Sequence, residues 1–149
     1  MMYRTHLIFG LFLALVFLPL VVHKLVFVPI VLLCSLLPDI DCTRSLLGKY
    51  KIFRPLQWFV KHRTFFHSMS LSIIVALIFA FYIPVLALPF FLGYSGHLFA
   101  DAITIEGIRP WWPYKNEIKG KIRTGGKIET IVFYVLVALD IGLIARMIF

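Results

Sequence analysis

From Phe65 to Ala100 the chain carries no formally charged side chain, and that stretch decides most of what the chain can become. As one helix rising 1.5 Å per residue it would extend about 54 Å, too far for a single crossing of a hydrocarbon core roughly 30 Å thick. Pro84 and Pro89 lie near its middle. Proline breaks a helix by removing a donor and crowding the preceding turn, so the stretch folds back as two helices. Leu7 to Pro38 is apolar apart from His23 and Lys24 and folds at that pair by the same reasoning. Ile128 to Phe149 is interrupted only by Glu129, Asp140 and Arg146. Five helical segments are predicted, at about 5–22, 25–37, 65–82, 86–103 and 127–148, the first two short for full spans at roughly 21–27 Å. The fold class is an all-α, polytopic membrane helix bundle, with residues 1–149 forming one integral membrane domain.

Composition agrees. The chain is 61% hydrophobic with a mean hydropathy of +0.95, more apolar material than a small soluble domain can hide. The net charge of +8 is compatible with nucleic acid or anionic lipid, and its distribution favours lipid. Residues 42–64 hold Arg44, Lys49, Lys51, Arg54, Lys61 and Arg63 with no acid. Residues 104–127 hold Arg109, Lys115, Lys119, Lys121, Arg123 and Lys127 against Glu106 and Glu117. The turns near 23–24 and 83–85 carry Lys24 alone. The positive-inside rule then places both basic segments and the N-terminus in the cytoplasm and the C-terminus outside. The expected location is the inner (cytoplasmic) membrane, with several passes. Met1 to Val22 imitates a signal peptide, but no small-x-small cleavage site follows, so it is read as retained. Cys34 and Cys42 give no disulfide framework.

This topology has a consequence for chemistry. His6 opens the first helix, Asp39 and Asp41 follow the second, and His62 and His67 flank the start of the third. His97 and Asp101 end the fourth, and Glu129 opens the fifth. Every one of these ends is cytoplasmic, so four of the five histidines share a layer with four carboxylates. Imidazole and carboxylate together are the donor set for zinc, or for manganese or iron. His97 and Asp101, at i and i+4, project from one helical face. His62 and His67 are roughly 140° apart on an ideal helix. Both can ligate only if the helix begins between them, with Thr64 as its N-cap. Asp39 and Asp41 converge only on a non-helical backbone, which the Pro38 boundary supplies.

Each residue also has a plainer explanation. His97 can be a hydrogen-bonded core histidine, Asp39 a cap, Asp101 the mark of a helix end and His6 an interfacial polar residue. Glu129 can be favoured by the helix dipole. Histidines and acids at membrane depth are expensive, however, and usually functional, and the coincidence of five helix ends favours a shared metal site. Asp140, about 20 Å along the last helix from Glu129 by helical rise, is expected to pair with Lys24 structurally. Arg109-Pro-Trp-Trp-Pro-Tyr114 reads as a headgroup-level anchor, and Gly125-Gly126 as a hinge before the last helix.

At these residues the sequence resembles the YdjM-like membrane-bound metal-dependent hydrolases. The matching blocks are Thr5-His6, Ser35-Leu-Leu-Pro-Asp-Ile-Asp41 and His62-Arg-Thr-Phe-Phe-His-Ser68. Gly93-Tyr-Ser-Gly-His-Leu-Phe-Ala-Asp-Ala-Ile-Thr104 and Gly107-Ile-Arg-Pro-Trp-Trp-Pro113 follow in family order. The family is distantly similar to zinc-dependent phospholipase C and P1-type nucleases. The resemblance implies His62 or His67, His97, Asp101 and one of Asp39 or Asp41 as metal ligands, and it extends to Glu129. It supplies no substrate.

The function expected from these readings is metal-assisted hydrolysis of a phosphoester, such as a phospholipid headgroup, at the cytoplasmic face. Asp39 or Asp41, whichever does not ligate, would accept the proton of the attacking water. Arg63 would hold the phosphate by its planar fork, and Glu129 joins Asp41 and Arg63 as a candidate catalytic residue. A non-catalytic metal-binding or regulatory membrane protein would use the same residues with every coordination position filled by protein. A transporter fits less well, because the ligands sit at one face and not near the midplane. Specific nucleic-acid binding is not expected, since no helix-turn-helix or zinc-finger spacing occurs. HExxH is also absent. The Ser-Arg block of histidine-nucleophile lipid phosphatases should cover Phe90 and Phe91, and it is missing.

Overall fold

The computed structural model describes residues 1–43, 45–59 and 64–149, with the side chains of Leu56 and Phe59 left out. Among these the chain is helical: α1 (Tyr3–Phe17), α2 (Lys24–Cys34), a short α3 (Arg54–Phe59), α4 (Met69–Tyr82), α5 (Pro84–Ala102) and α6 (Lys127–Ile148). The five long helices correspond to the five predicted segments. α1 continues through a 3-10 turn, Leu18–Leu20, built around Pro19. α2 stops at Cys34, short of the predicted 37, where the Ser35 hydroxyl turns back to the Leu32 carbonyl. A second 3-10 turn, Leu37–Asp41, takes over with Pro38 in its first positions. Leu37 is thus the first residue of that turn and not an extended residue before it.

The break between α4 and α5 falls at Ile83, with Pro84 as the first residue of α5. Pro89 is carried inside α5. Gly126 caps α6, and Gly125 before it takes φ +73°, a conformation that suits glycine. Ser68, not Thr64, caps α4 by accepting the Leu71 N–H at 3.3 Å, so this helix starts after both His62 and His67. His62 itself lies outside the described residues. The Pro110 carbonyl also accepts the N–H groups of Met69 and Ser70, so the 103–126 loop completes the α4 N-terminus. That loop is held to itself by bridges at Thr104–Ile122 and Ile108–Ile118.

α5 is the central helix. Half of its residues are buried, against 11% for α6, and it packs on α1, α2 and α4, whereas α6 lies against α1. One core cluster gathers Phe90, Tyr94 and Leu98 of α5 with Cys34 and Ile108. The other joins Ala14, Phe27 and Val31. The outer faces of α4 and α6 are large and apolar, with Leu77, Phe81, Ile131 and Ile141 exposed, as lipid contact requires. By length and composition, residues Tyr3–Leu20, α5 and α6 can cross a membrane, while α4 is shorter.

α2 and α5 approach closely at Gly93, where an added Cβ would stand 2.3 Å from the Val31 carbonyl oxygen. Small residues let membrane helices come this near. Gly93→Val is expected to cost about 3 kcal/mol, the upper end of overpacking costs. Its thermal unfolding midpoint in detergent should fall well below that of Gly142→Val, a position with no atom within 4 Å of the new Cβ.

Candidate metal centre

The same ends of the five long helices meet in one layer. Thr5 of α1 touches Glu129 of α6, His97 of α5 touches Ser35 just after α2, and Tyr94 of α5 touches Phe66 just before α4. Inside this layer His6, His67, His97 and Asp101 are all buried to 1% exposure or less. The Asp39 side chain, 18% exposed, closes the group on one side.

Two sets of three donors stand out among the described residues: His6, His97 and Asp101, and Asp39, His67 and His97. Within each, the donor atoms lie within 4.8 Å of one another. His97 belongs to both. Its Nε2 is 3.7 Å from Asp101 Oδ2 and 3.8 Å from Asp39 Oδ1. His67 Nε2 is 3.6 Å from Asp101 Oδ2 and 3.5 Å from Asp39 Oδ1, and His6 Nε2 is 3.5 Å from Asp101 Oδ1. Such separations are too long for good hydrogen bonds. They lie at or just above the edge of a coordination tetrahedron, roughly 3.3–3.6 Å for bonds of the usual zinc–nitrogen and zinc–oxygen lengths. The imidazoles of His6 and His97 stack at 3.7 Å between centroids and 9° between planes.

Nδ1 of His97 is 2.7 Å from the Ser35 carbonyl oxygen. A carbonyl only accepts, so Nδ1 carries the proton and the Nε2 lone pair faces the carboxylates. Neither this Nε2 nor either nitrogen of His6 makes a hydrogen bond among the described residues. Buried imidazole nitrogens with no hydrogen bond, carboxylates around them and a backbone carbonyl fixing the tautomer fit a divalent cation.

The structure separates the two aspartates that the sequence left equivalent. A 3-10 turn advances about 120° per residue, so Asp39 and Asp41, two residues apart, point to different sides. Asp39 reaches His67 Nε2 on the cluster side, whereas Asp41 Oδ2 lies 3.5 Å from His67 Nδ1, behind the ring. Among the described residues Asp39 is one of the groups that could hold a metal ion, and Asp41 stands behind the His67 ring.

The charges bear on the metal-free protein. Burial pushes the His67 imidazole down, but the Asp39 and Asp41 carboxylates beside it outweigh this and hold it up at about 9. Burial pushes Asp39 up, and the contacts with His67, His97 and His6 bring it down to about 2. The proton on His67 therefore contributes stability fully below its ordinary value of about 6.5 and loses it as pH rises through about 9. The Asp39 charge contributes above about 3.8 and loses its effect as pH falls through about 2. Chelator-treated protein is expected to lose thermal stability between about pH 7 and 9, and added divalent metal, taking the place of that proton, to restore it. Unfolding in detergent at several pH values, with and without metal, checks this.

Glu129 is buried, but its oxygens are engaged elsewhere. Oε1 accepts the Met2 N–H at 2.7 Å and the Thr5 hydroxyl at 2.8 Å, and Oε2 accepts the Gly125 N–H at 2.6 Å. It clasps the start of α1 to the turn before α6. The Met1 amino group meets Asp101. Arg63, like His62, lies outside the described residues. Lys24 and Asp140 do not form an ion pair among the described residues. Asp140 is buried, and its carboxylate has no hydrogen-bond partner among the described residues. Trp111, Trp112 and Tyr114 are exposed, as an anchoring role requires.

The family model described as YdjM inner membrane protein matches residues 1–148. The chain belongs to the YdjM family. Inner membrane protein YdjM of Escherichia coli (strain K12) is 34% identical over 119 residues, 70% of this chain and 60% of that protein, and the Shigella flexneri protein of the same name matches equally. Protein YvsG of Bacillus subtilis (strain 168) is 33% identical over 104 residues, 66% of this chain and 65% of that protein. This YdjM-family chain thus spans 60–65% of the length of the curated relatives it matches. No solved structure matches it.

Proposed function

We propose that this membrane protein is a metal-dependent hydrolase of a phosphoester, working at the cytoplasmic face of the inner membrane. The observation that carries the reading is the buried His/Asp cluster, whose neighbouring donors stand 3.5–3.8 Å apart in two sets that share His97. A divalent cation held there, zinc first and manganese or iron as alternatives, would supply a Lewis acid able to make water nucleophilic near neutral pH. The chain's own groups have distinct tasks. His6, His67, His97, Asp39 and Asp101 would hold the cation, and the Ser35 carbonyl and Asp41 would orient the His97 and His67 rings. Arg63, adjacent to His62 in sequence, would bind phosphate by its fork. The basic segments 42–64 and 104–127 support the cytoplasmic placement and attract anionic headgroups.

The test is to purify the protein in detergent, measure bound metal, and assay phosphodiesters and phospholipids with and without chelator. Turnover that needs metal and disappears in Asp101→Ala is expected. Metal-loaded protein that hydrolyses none of them would overturn the proposal. The near-complete burial of His6, His67, His97 and Asp101 favours one second reading, a closed metal site that stabilises or regulates without catalysis. Displaceable water on the bound metal separates the two.

A further inference from the structure

An apolar cavity of about 200 Å³ is lined by residues that flank the cluster residues along the chain. Leu37 and Ile40 come from the 3-10 turn that carries Asp39, and Phe65 and Phe66 immediately precede His67. Tyr94 is three residues before His97, and Phe90 is one turn farther along α5, about 10 Å from His97 by helical rise. Leu71 and Val75 of α4 form the remaining side. No polar surface faces the space, and the Tyr94 hydroxyl is turned to the Phe66 carbonyl at 2.5 Å. A space with no polar lining offers water no partner and takes apolar guests.

Its direction matters as much as its lining. The cluster sits at the helix ends, and the cavity runs from it along α4 and α5 toward the middle of the bilayer. Leu37, Ile40, Phe65, Phe66, Leu71 and Val75 are half-buried and not sealed, so the space communicates with the molecular surface. A water-soluble phosphoester would leave it empty. An amphiphile with an anionic head at the cluster and its chain pointing inward would fill both parts at once, in the orientation lipids already hold in a leaflet.

We infer that this cavity receives an acyl chain of an anionic glycerophospholipid from the surrounding membrane, so that the substrate class is a membrane lipid and not a soluble phosphoester. The inference rests on the phosphoester reading of the cluster for its catalytic meaning, but chain binding is measurable without turnover.

The experiment places the protein in vesicles of phosphatidylglycerol carrying a diazirine on one acyl chain, followed by photolysis and mapping of adducts. Adducts on Leu37, Ile40, Phe65, Phe66, Leu71 and Val75 should exceed those on the exposed α4 residues Leu77 and Phe81 several-fold. They should fall at least fivefold in Val75→Trp, which fills the space, and persist in Ile78→Trp, whose side chain points outward. Cavity labelling no denser than on Leu77 and Phe81, or unchanged in Val75→Trp, overturns the inference. If Val75→Trp misfolds, Leu71→Phe repeats the test with a smaller intrusion. In the hydrolysis assay, Val75→Trp should lose phospholipid turnover at least tenfold and keep turnover of bis(p-nitrophenyl) phosphate. Equal loss of both substrates contradicts the inference. Wild-type protein that labels in the cavity yet hydrolyses neither substrate contradicts the hydrolase reading alone.

Discussion

His97→Ala is expected to strip the purified protein of its divalent metal. His97 is the one residue shared by both donor sets, and its Nε2 faces Asp39 and Asp101 while its Nδ1 is fixed by the Ser35 carbonyl. Removing it takes a donor from every arrangement the cluster offers, whether one ion binds or two. The loss in affinity should exceed the roughly 10–100-fold that follows removal of an outer-shell partner, which is the effect expected of Asp41→Asn behind His67. Metal titration of the two variants beside wild type gives the order: wild type tightest, Asp41→Asn intermediate, His97→Ala without measurable high-affinity binding. Equal binding by wild type and His97→Ala would remove His97 from the site.

Glu129→Ala is expected to be the most destabilising change at this end of the bundle while leaving bound metal in place. The substitution deprives the Met2 N–H, the Thr5 hydroxyl and the Gly125 N–H of their acceptor. A buried donor left without a partner costs about 1–3 kcal/mol, so the three together cost roughly 3 kcal/mol or more. Glu129→Gln keeps one carbonyl oxygen and should lose less. Thermal unfolding and metal content, measured on the same preparations, separate this clasp from a catalytic role. A catalytic Glu129 would show normal unfolding with lost turnover, and the account here requires the reverse.

The bundle was legible because lipid imposes a simple grammar: long uncharged runs, proline breaks and basic loops. Ile83-Pro84 and Gly125-Gly126 mark the observed helix boundaries for local reasons that sequence carries. The α4 start was misplaced because Thr64 and Ser68 are both good caps, and only the fold shows that Ser68 turns its oxygen to Leu71. His97 and Asp101 were readable as a pair from their i, i+4 spacing. The division of labour between Asp39 and Asp41 was not, since it depends on the hand of a 3-10 turn relative to a ring on another segment. Glu129 had the right depth and chemistry for a ligand, but its partners are backbone groups and a threonine contributed by other segments. The Ser35 carbonyl has no sequence signal at all. Lys24 looked suited to Asp140 by charge alone, and the ion pair is not among those formed by the described residues.

The most direct test of the account is an anomalous difference map, recorded at the absorption edge of the metal, from crystals of the purified protein. The account predicts a peak about 2.0–2.2 Å from His97 Nε2, with His6 or His67 and an oxygen of Asp39 or Asp101 completing its coordination. A protein supplied with zinc, manganese and iron that shows no ion among these side chains would contradict it.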